Sequence, residues 1–185
     1  GRYLINLIDN LKEIDKENKY CILLRKKYFD ELNLPPNCKK VLADFRYYTF
    51  TEQFKLPGLI NNEKPDLVHF PHFNIPIIYK GRYVVTIHDM TMHYQGTGAT
   101  TLPFYEYLFK RIPYKFAFRY AVLKSKKVIT PSQAVKKEIV DYFRIDPNRV
   151  VVTNEGLEGF ERKIGDKGEH EVLSGYGLRG SEYFF

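Results

Sequence analysis

Two hydrophobic rhythms alternate along this chain, one with apolar residues at every third or fourth position and one of short unbroken apolar runs. Residues 1–15 show the first: Leu4, Leu7, Ile8, Leu11 and Ile14 recur at helical spacing with Asn6, Asp9, Lys12 and Glu13 between them. That spacing predicts an amphipathic helix with one core-facing stripe. Residues 20–24, YCILL, show the second rhythm and predict a buried strand. Arg25, Lys26 and Lys27 then open a polar loop with Pro35-Pro36 as a breaker, and a weaker strand is expected over residues 40–45 around Val41 and Leu42. Thr51 is placed to cap a helix through Phe54 that Pro57-Gly58 is expected to break. Residues 67–70 read as a further short strand that Pro71 ends.

The most telling stretch is residues 83–90, YVVTIHDM. A β-branched run (Val84, Val85, Thr86, Ile87) stops at His88-Asp89, as expected of a buried strand delivering two titratable side chains to its C-terminal end. Residues 101–124 form the longest helical stretch, and Pro113 inside it predicts a kink or two consecutive helices. Val128-Ile129-Thr130 reads as a strand, with Ser132 capping a helix through Phe143. Asp146-Pro147-Asn148 is a turn before the strand Val150-Val151-Val152. Helices alternating with short apolar strands predict an α/β fold with a Rossmann-like, doubly wound parallel sheet.

Past Val152 the pattern dissolves. Seven of the twelve glycines fall in residues 156–180, with a short apolar helix candidate near Val172-Leu173. The expected organisation is one domain over residues 1–155, a linker over residues 156–181, and in residues 182–185 the start of a strand belonging to a further domain. Position 1 is Gly rather than Met, so the chain reads as part of a longer protein.

Composition narrows the partners. A formal charge of +7 and a pI near 9.2 favour an anionic one, whether nucleic acid, membrane surface or phosphate-bearing small molecule. Cys21 and Cys38 lack metal-ligand spacing and are not expected to pair, which fits a reducing cytoplasmic compartment. No apolar run approaches the roughly 20 residues that span a bilayer, so membrane contact would be peripheral.

Four of the five histidines, His69, His72, His88 and His93, crowd into one short part of the sequence. A metal reading would group His69, His72, His88 and Asp89, but Pro71 interrupts the first pair and no Cys joins them. Topology offers a stronger reading. His69 and His88 are each expected to end a strand, and in a parallel sheet both imidazoles would emerge at the C-terminal edge, where ligands bind. There an imidazole can hydrogen-bond a hydroxyl or a phosphate, or move a proton near neutral pH. The alternative is that His88 and Asp89 only cap the strand and its loop. Gly1-Arg2 at a helix start is open to anion binding or to an ordinary turn, and Ser132 to a ligand contact or to a plain N-cap. Arg111, Lys115 and Arg119 recur every four residues beside Phe104, Leu108, Ile112 and Phe116. Such a stripe can meet anionic lipid, or be a solvated basic face over packed aromatics.

Four ordered blocks carry a resemblance: PDLVHFPHFNIP (residues 65–76), VVTIHDMT (84–91), KKVITPSQAVKKEI (126–139) and NRVVVTNEGLE (148–158). In this order they resemble the N-terminal domain of GT-B glycosyltransferases of the retaining family 4, the mannosyltransferase-like group. The opening GRYLINLIDNL looks like the end of that family's glycine turn and its first helix, with the first strand absent. The resemblance implies transfer of a sugar from a nucleotide-sugar donor to a sugar or lipid-linked acceptor, in a cleft between two Rossmann-like domains. By motif match, His88 is the catalytic histidine that reaches the transferred sugar; His69 and Asp89 join it as substrate-binding candidates on the strand-end reading above. Gly1 corresponds to the turn near the donor phosphates, Ser132 to a helix start facing the cleft, and Asn154, Glu155 and Gly156 to the crossing into the second domain. No metal or other cofactor is implied. The donor would be held mainly by the second domain, so the chain by itself is not expected to turn over. Two competitors remain at this stage. A nicotinamide or methyl-donor enzyme would need an acidic residue ending the second strand, where Arg25 and Lys26 stand instead. A nucleic-acid module would interleave aromatics with Lys and Arg on an exposed sheet or loop; no such motif is present, and nucleic acid is not expected as a partner.

Overall fold

The computed structural model describes residues 2–94 and 103–156. Its first compact unit spans Gly1–Asn154 and its second Glu155–Phe185, of which only Glu155 and Gly156 are described. The candidate helix near residues 172–173 and the strand expected over residues 182–185 lie outside the described residues.

The first unit is mixed α/β with parallel strands throughout, in a Rossmann-like arrangement. Helix α1 (Arg2–Ile14) leads to β1 (Tyr20–Leu24), the short α2 (Lys26–Phe29), β2 (Cys38–Leu42) and α3 (Phe50–Glu63). Then come β3 (Val68–Phe70), β4 (Tyr83–Thr86), the short α4 (Thr91–Tyr94) and α5 (Phe104–Lys124). Strand β5 (Lys127–Thr130), α6 (Gln133–Phe143), a 3-10 turn (Pro147–Arg149) and β6 (Val150–Val152) complete it. The strands form two sheets, β1-β2 and β3-β4-β5-β6. Cys21 and Cys38, on the smaller sheet, are unbridged thiols.

Alternation along β4 sorts its side chains between two faces. Tyr83, Val85 and Ile87 enter the core with Phe70, Val128 and Val150, against Phe118, Ala121 and Val122 of α5. Val84, Thr86 and His88 therefore share the other face. Parallel register sets His69 opposite Val84 and Ile129 opposite Thr86 on that face.

Local sequence explains most boundaries, including some that the hydrophobic pattern placed differently. Helix α3 begins at Thr49 rather than Thr51, because Thr49-Phe50-Thr51-Glu52 has capping-box spacing: Thr49 Oγ1 accepts the Glu52 N–H, and Glu52 Oε2 accepts the Tyr48 N–H. It runs through Pro57-Gly58 to Glu63. A proline in a helix interior costs about 3 kcal/mol, but Pro57 and Ile60 are buried, and that burial offsets the cost where propensity alone would end the helix. Helix α5 likewise continues through Pro113 as one element of 21 residues. Its C-terminal end is secured by Arg149, whose Nη2 donates toward the carbonyls of Val122, Leu123 and Ser125 at 3.1, 3.0 and 2.7 Å. Ser132 caps α6 as expected, its Oγ accepting the Val135 N–H at 3.3 Å. Lys64 and Arg144 end α3 and α6 in the left-handed conformation.

Candidate functional site

The site forms where the β4 face that turns away from the core meets the first turn of α1. Thr86, the last residue of β4 and only 2% exposed, carries its hydroxyl between two rings. Its Oγ1 is 2.7 Å from His69 Nε2 and 3.2 Å from the Tyr3 hydroxyl. One threonine hydroxyl can donate one bond and accept another, so it serves both neighbours at once. The Tyr3 ring stands edge-on to His88, 5.0 Å between centroids, and to His69 at 6.4 Å. Thus α1 lays a single aromatic side chain across both histidines.

His88 lies two residues beyond the end of β4 and is half-buried. Its Nε2 is 3.3 Å from the Pro71 carbonyl oxygen. A carbonyl only accepts, so Nε2 is the donor in this contact. Pro71 is held in turn by a loop fastened to α3. Glu52 Oε2 accepts from Asn74 Nδ2 at 2.9 Å, while Gln53 receives the Ile77 N–H and donates to the Ile75 carbonyl. Burial, reinforced by the neighbouring His88, holds the His69 imidazole below its ordinary pKa, and the same two causes lower His72. Asp89 acts on His72 in the opposite direction. His69 and His72 thus each sense His88, and both favour the neutral form.

His69 proves to be the middle residue of β3 rather than its end. It still reaches the cleft edge because its side chain points along the sheet face to Thr86. Asp89 is exposed and takes the capping part left open by the sequence, its Oδ1 accepting the Thr91 N–H at 2.8 Å to start α4. It also borders an open cleft of about 480 Å³ with Met90, Thr91, Tyr94, Val135 and Glu138. Ser132, beyond the end of neighbouring β5, is engaged as the α6 cap. Asn154 is exposed past β6. Glu155 and Gly156 are exposed and belong to the second unit, while Gly1 lies outside the described residues. Among the described residues no group of three or more His, Cys, Asp or Glu is placed to hold a metal ion, and the grouping of His69, His72, His88 and Asp89 as ligands is not formed.

His93 stands apart from the site. It is 5% exposed and packed among Tyr114, Phe118, Tyr142 and Phe143, with Nδ1 3.0 Å from the Tyr114 hydroxyl. Tyr3 and Thr86 are the two site members that the hydrophobic pattern did not single out. Thr86 was hidden inside a β-branched run, although a hydroxyl at i−2 from a strand-end histidine shares its face and is the signal that finds it.

Comparison with known proteins follows from this geometry. The description Glycosyltransferase Family 4 matches residues 2–158, and this range contains the whole cluster. The chain belongs to glycosyltransferase family 4. Over 164 residues it is 24% identical to an O-antigen chain mannosyltransferase of Salmonella typhimurium, a match covering 82% of this chain and 43% of that protein. The chain thus spans less than half the length of the curated relative it matches. Family 4 is a family of glycosyltransferases. The match supports the glycosyltransferase resemblance over the two competing readings of the sequence.

Proposed function

We propose that this family 4 chain forms the acceptor side of a GT-B enzyme, which moves a sugar from a nucleotide-sugar to a sugar or lipid-linked acceptor with retention. The observation that carries the reading is the fixed His88, its Nε2–H given to Pro71 and its ring backed by Tyr3. A histidine so held can orient an acceptor hydroxyl or support charge developing on the transferred sugar. In a retaining transfer the bond from the anomeric carbon to the donor phosphate oxygen breaks. The acceptor oxygen bonds the same carbon on the same face, and its proton passes to the departing phosphate. No dedicated protein base is required, so His88 positions rather than attacks.

Anion binding near the start of α1 fits the same scheme. Tyr3 sits in the first turn of α1 and touches His88, so the helix N-terminus lies within one side chain of the site. Its unpaired N–H groups and dipole favour a diphosphate there. We place the reaction at the cytoplasmic face of a membrane, where a lipid-linked acceptor would be presented and a basic protein would meet anionic headgroups.

The test is turnover of the protein expressed from its complete gene. His88→Ala with unchanged circular dichroism is expected to lower sugar transfer by at least about a hundredfold. Transfer within a few-fold of the parent protein would remove His88 from the reaction.

A further inference from the structure

The longest helix carries a second apolar face that the core does not use. In α5, Phe118, Ala121 and Val122 are buried against the sheet. On the opposite side of the helix Phe109 is 81% exposed, Ile112 60% and Phe116 57%, and Tyr105 and Leu108 continue the stripe. These positions follow one another at i, i+3, i+4, i+7 and i+11, which lines them up along one side of a helix. Leu108, Ile112 and Phe116, which the sequence set beside the basic row, therefore project outward and are not packed beneath it.

Charge decides what meets this stripe. Along α5 stand Lys110, Arg111, Lys115, Arg119 and Lys124 against the lone carboxylate of Glu106. Arg111 is half-buried, with its guanidinium donated to the Tyr107 hydroxyl and the His93 carbonyl, which leaves Lys115 and Arg119 as the cations along one flank of the stripe. A protruding line of Phe, Ile, Leu and Tyr beside a line of cations matches the boundary between acyl chains and anionic headgroups, where rings and aliphatic chains insert and cations remain at the phosphate level. A nucleic-acid surface has no use for projecting Ile and Leu, and among the described residues no helix is long and apolar enough to cross a membrane.

We propose that the outer face of α5 is a peripheral docking surface for an anionic lipid bilayer. The docking surface rests on the membrane-side location proposed above and not on sugar transfer, and binding is read with neither donor nor acceptor present. The test is co-sedimentation of the 185-residue chain with vesicles of phosphatidylcholine alone and of phosphatidylcholine with phosphatidylglycerol at about 7:3, at low and high salt. Binding is expected to the anionic vesicles only and to weaken with salt. Phe109→Ser combined with Phe116→Ser is expected to lower the partition at least about tenfold, with unchanged circular dichroism because both rings are exposed. Arg119→Glu is a second and independent variant, with a loss of about tenfold or more from one charge removed and one opposed. Equal binding to both vesicle types, binding to neither, or variants that bind like the parent would overturn the proposal. So would a dimer in sedimentation velocity that the Phe variants abolish while vesicle binding persists, because the face would then belong to a second copy. A protein that binds vesicles but transfers no sugar retires only the transferase scheme.

Discussion

Thr86→Val is the most direct probe of how the site is held. The change keeps the β-branched shape in a strand and removes only a hydroxyl that is 2% exposed, so little cavity is created and the result reads hydrogen bonding. Two bonds vanish, at 2.7 Å to His69 and 3.2 Å to Tyr3. Each neutral bond contributes about 0.5–1.5 kcal/mol net, which makes the expected loss about 2 kcal/mol. In a chain of this size that lowers the melting temperature by about 4–8 °C. Urea unfolding of the parent, Thr86→Val, Tyr3→Phe and the double variant closes a cycle. If the Tyr3 hydroxyl acts through Thr86, Tyr3→Phe costs about 1 kcal/mol alone and almost nothing in the Thr86→Val background, giving a coupling of about 1 kcal/mol. In the protein expressed from its complete gene, Thr86→Val is expected to slow sugar transfer less than His88→Ala does, since it loosens the neighbours and leaves His88 in place. A Thr86→Val protein within 0.5 kcal/mol (roughly the scatter of surface substitutions) of the parent, or strictly additive variants, would refute the hydroxyl as the site's fastening point.

The buried His93 predicts an acid-sensitive fold. Burial, then the cations Lys115 and Arg111, hold its pKa at about 4, against 6.5 for a free imidazole. The unfolded chain takes up this proton below about 6.5 and the folded chain only near 4, so its contribution is whole at neutral pH and falls by about 3 kcal/mol as pH drops through that window. His93→Gln cannot titrate, and the difference between its urea midpoints and those of the parent from pH 7 to pH 4 should show this slope; parallel curves would exclude it. Ser132→Ala is expected to cost about 1 kcal/mol through the lost α6 cap, and Ser132→Asn to recover most of it. Transfer activity that stays low in the Asn variant after stability returns would show a ligand contact beyond the cap, and recovery of both would leave Ser132 a cap alone.

Much of this architecture was legible before any coordinates. The runs around Val84, Val128 and Val150 became neighbouring strands, and Ser132 caps the helix it precedes. Strand pairing was not legible, because which strands share a sheet depends on contacts between distant segments. The helix break expected at Pro57 failed because a local propensity was weighed without the burial of Pro57 and Ile60 that outweighs it. The α4 and α2 helices, four residues each, are too short for a 3.6-residue period to register. Helix α5 is apolar on two sides, and periodicity shows that such faces exist without showing which one a neighbour covers. At the site, His88 was marked by chemistry and by position, whereas Tyr3 acts across 83 residues of sequence and only the folded chain brings it there.

That sequence separation has a consequence for synthesis. Helix α1 leaves the ribosome before β4, so the strand that receives Tyr3 is not yet made when Tyr3 emerges. At about 5–20 residues per second, β4 follows roughly 4–17 seconds later. For that interval the Tyr3 hydroxyl has no Thr86 to meet, and their fastening must follow translation of β4. The histidine cleft thus closes only after β4 is made, and a ribosome stalled before Thr86 would hold a nascent chain whose Tyr3 has nothing to fasten it.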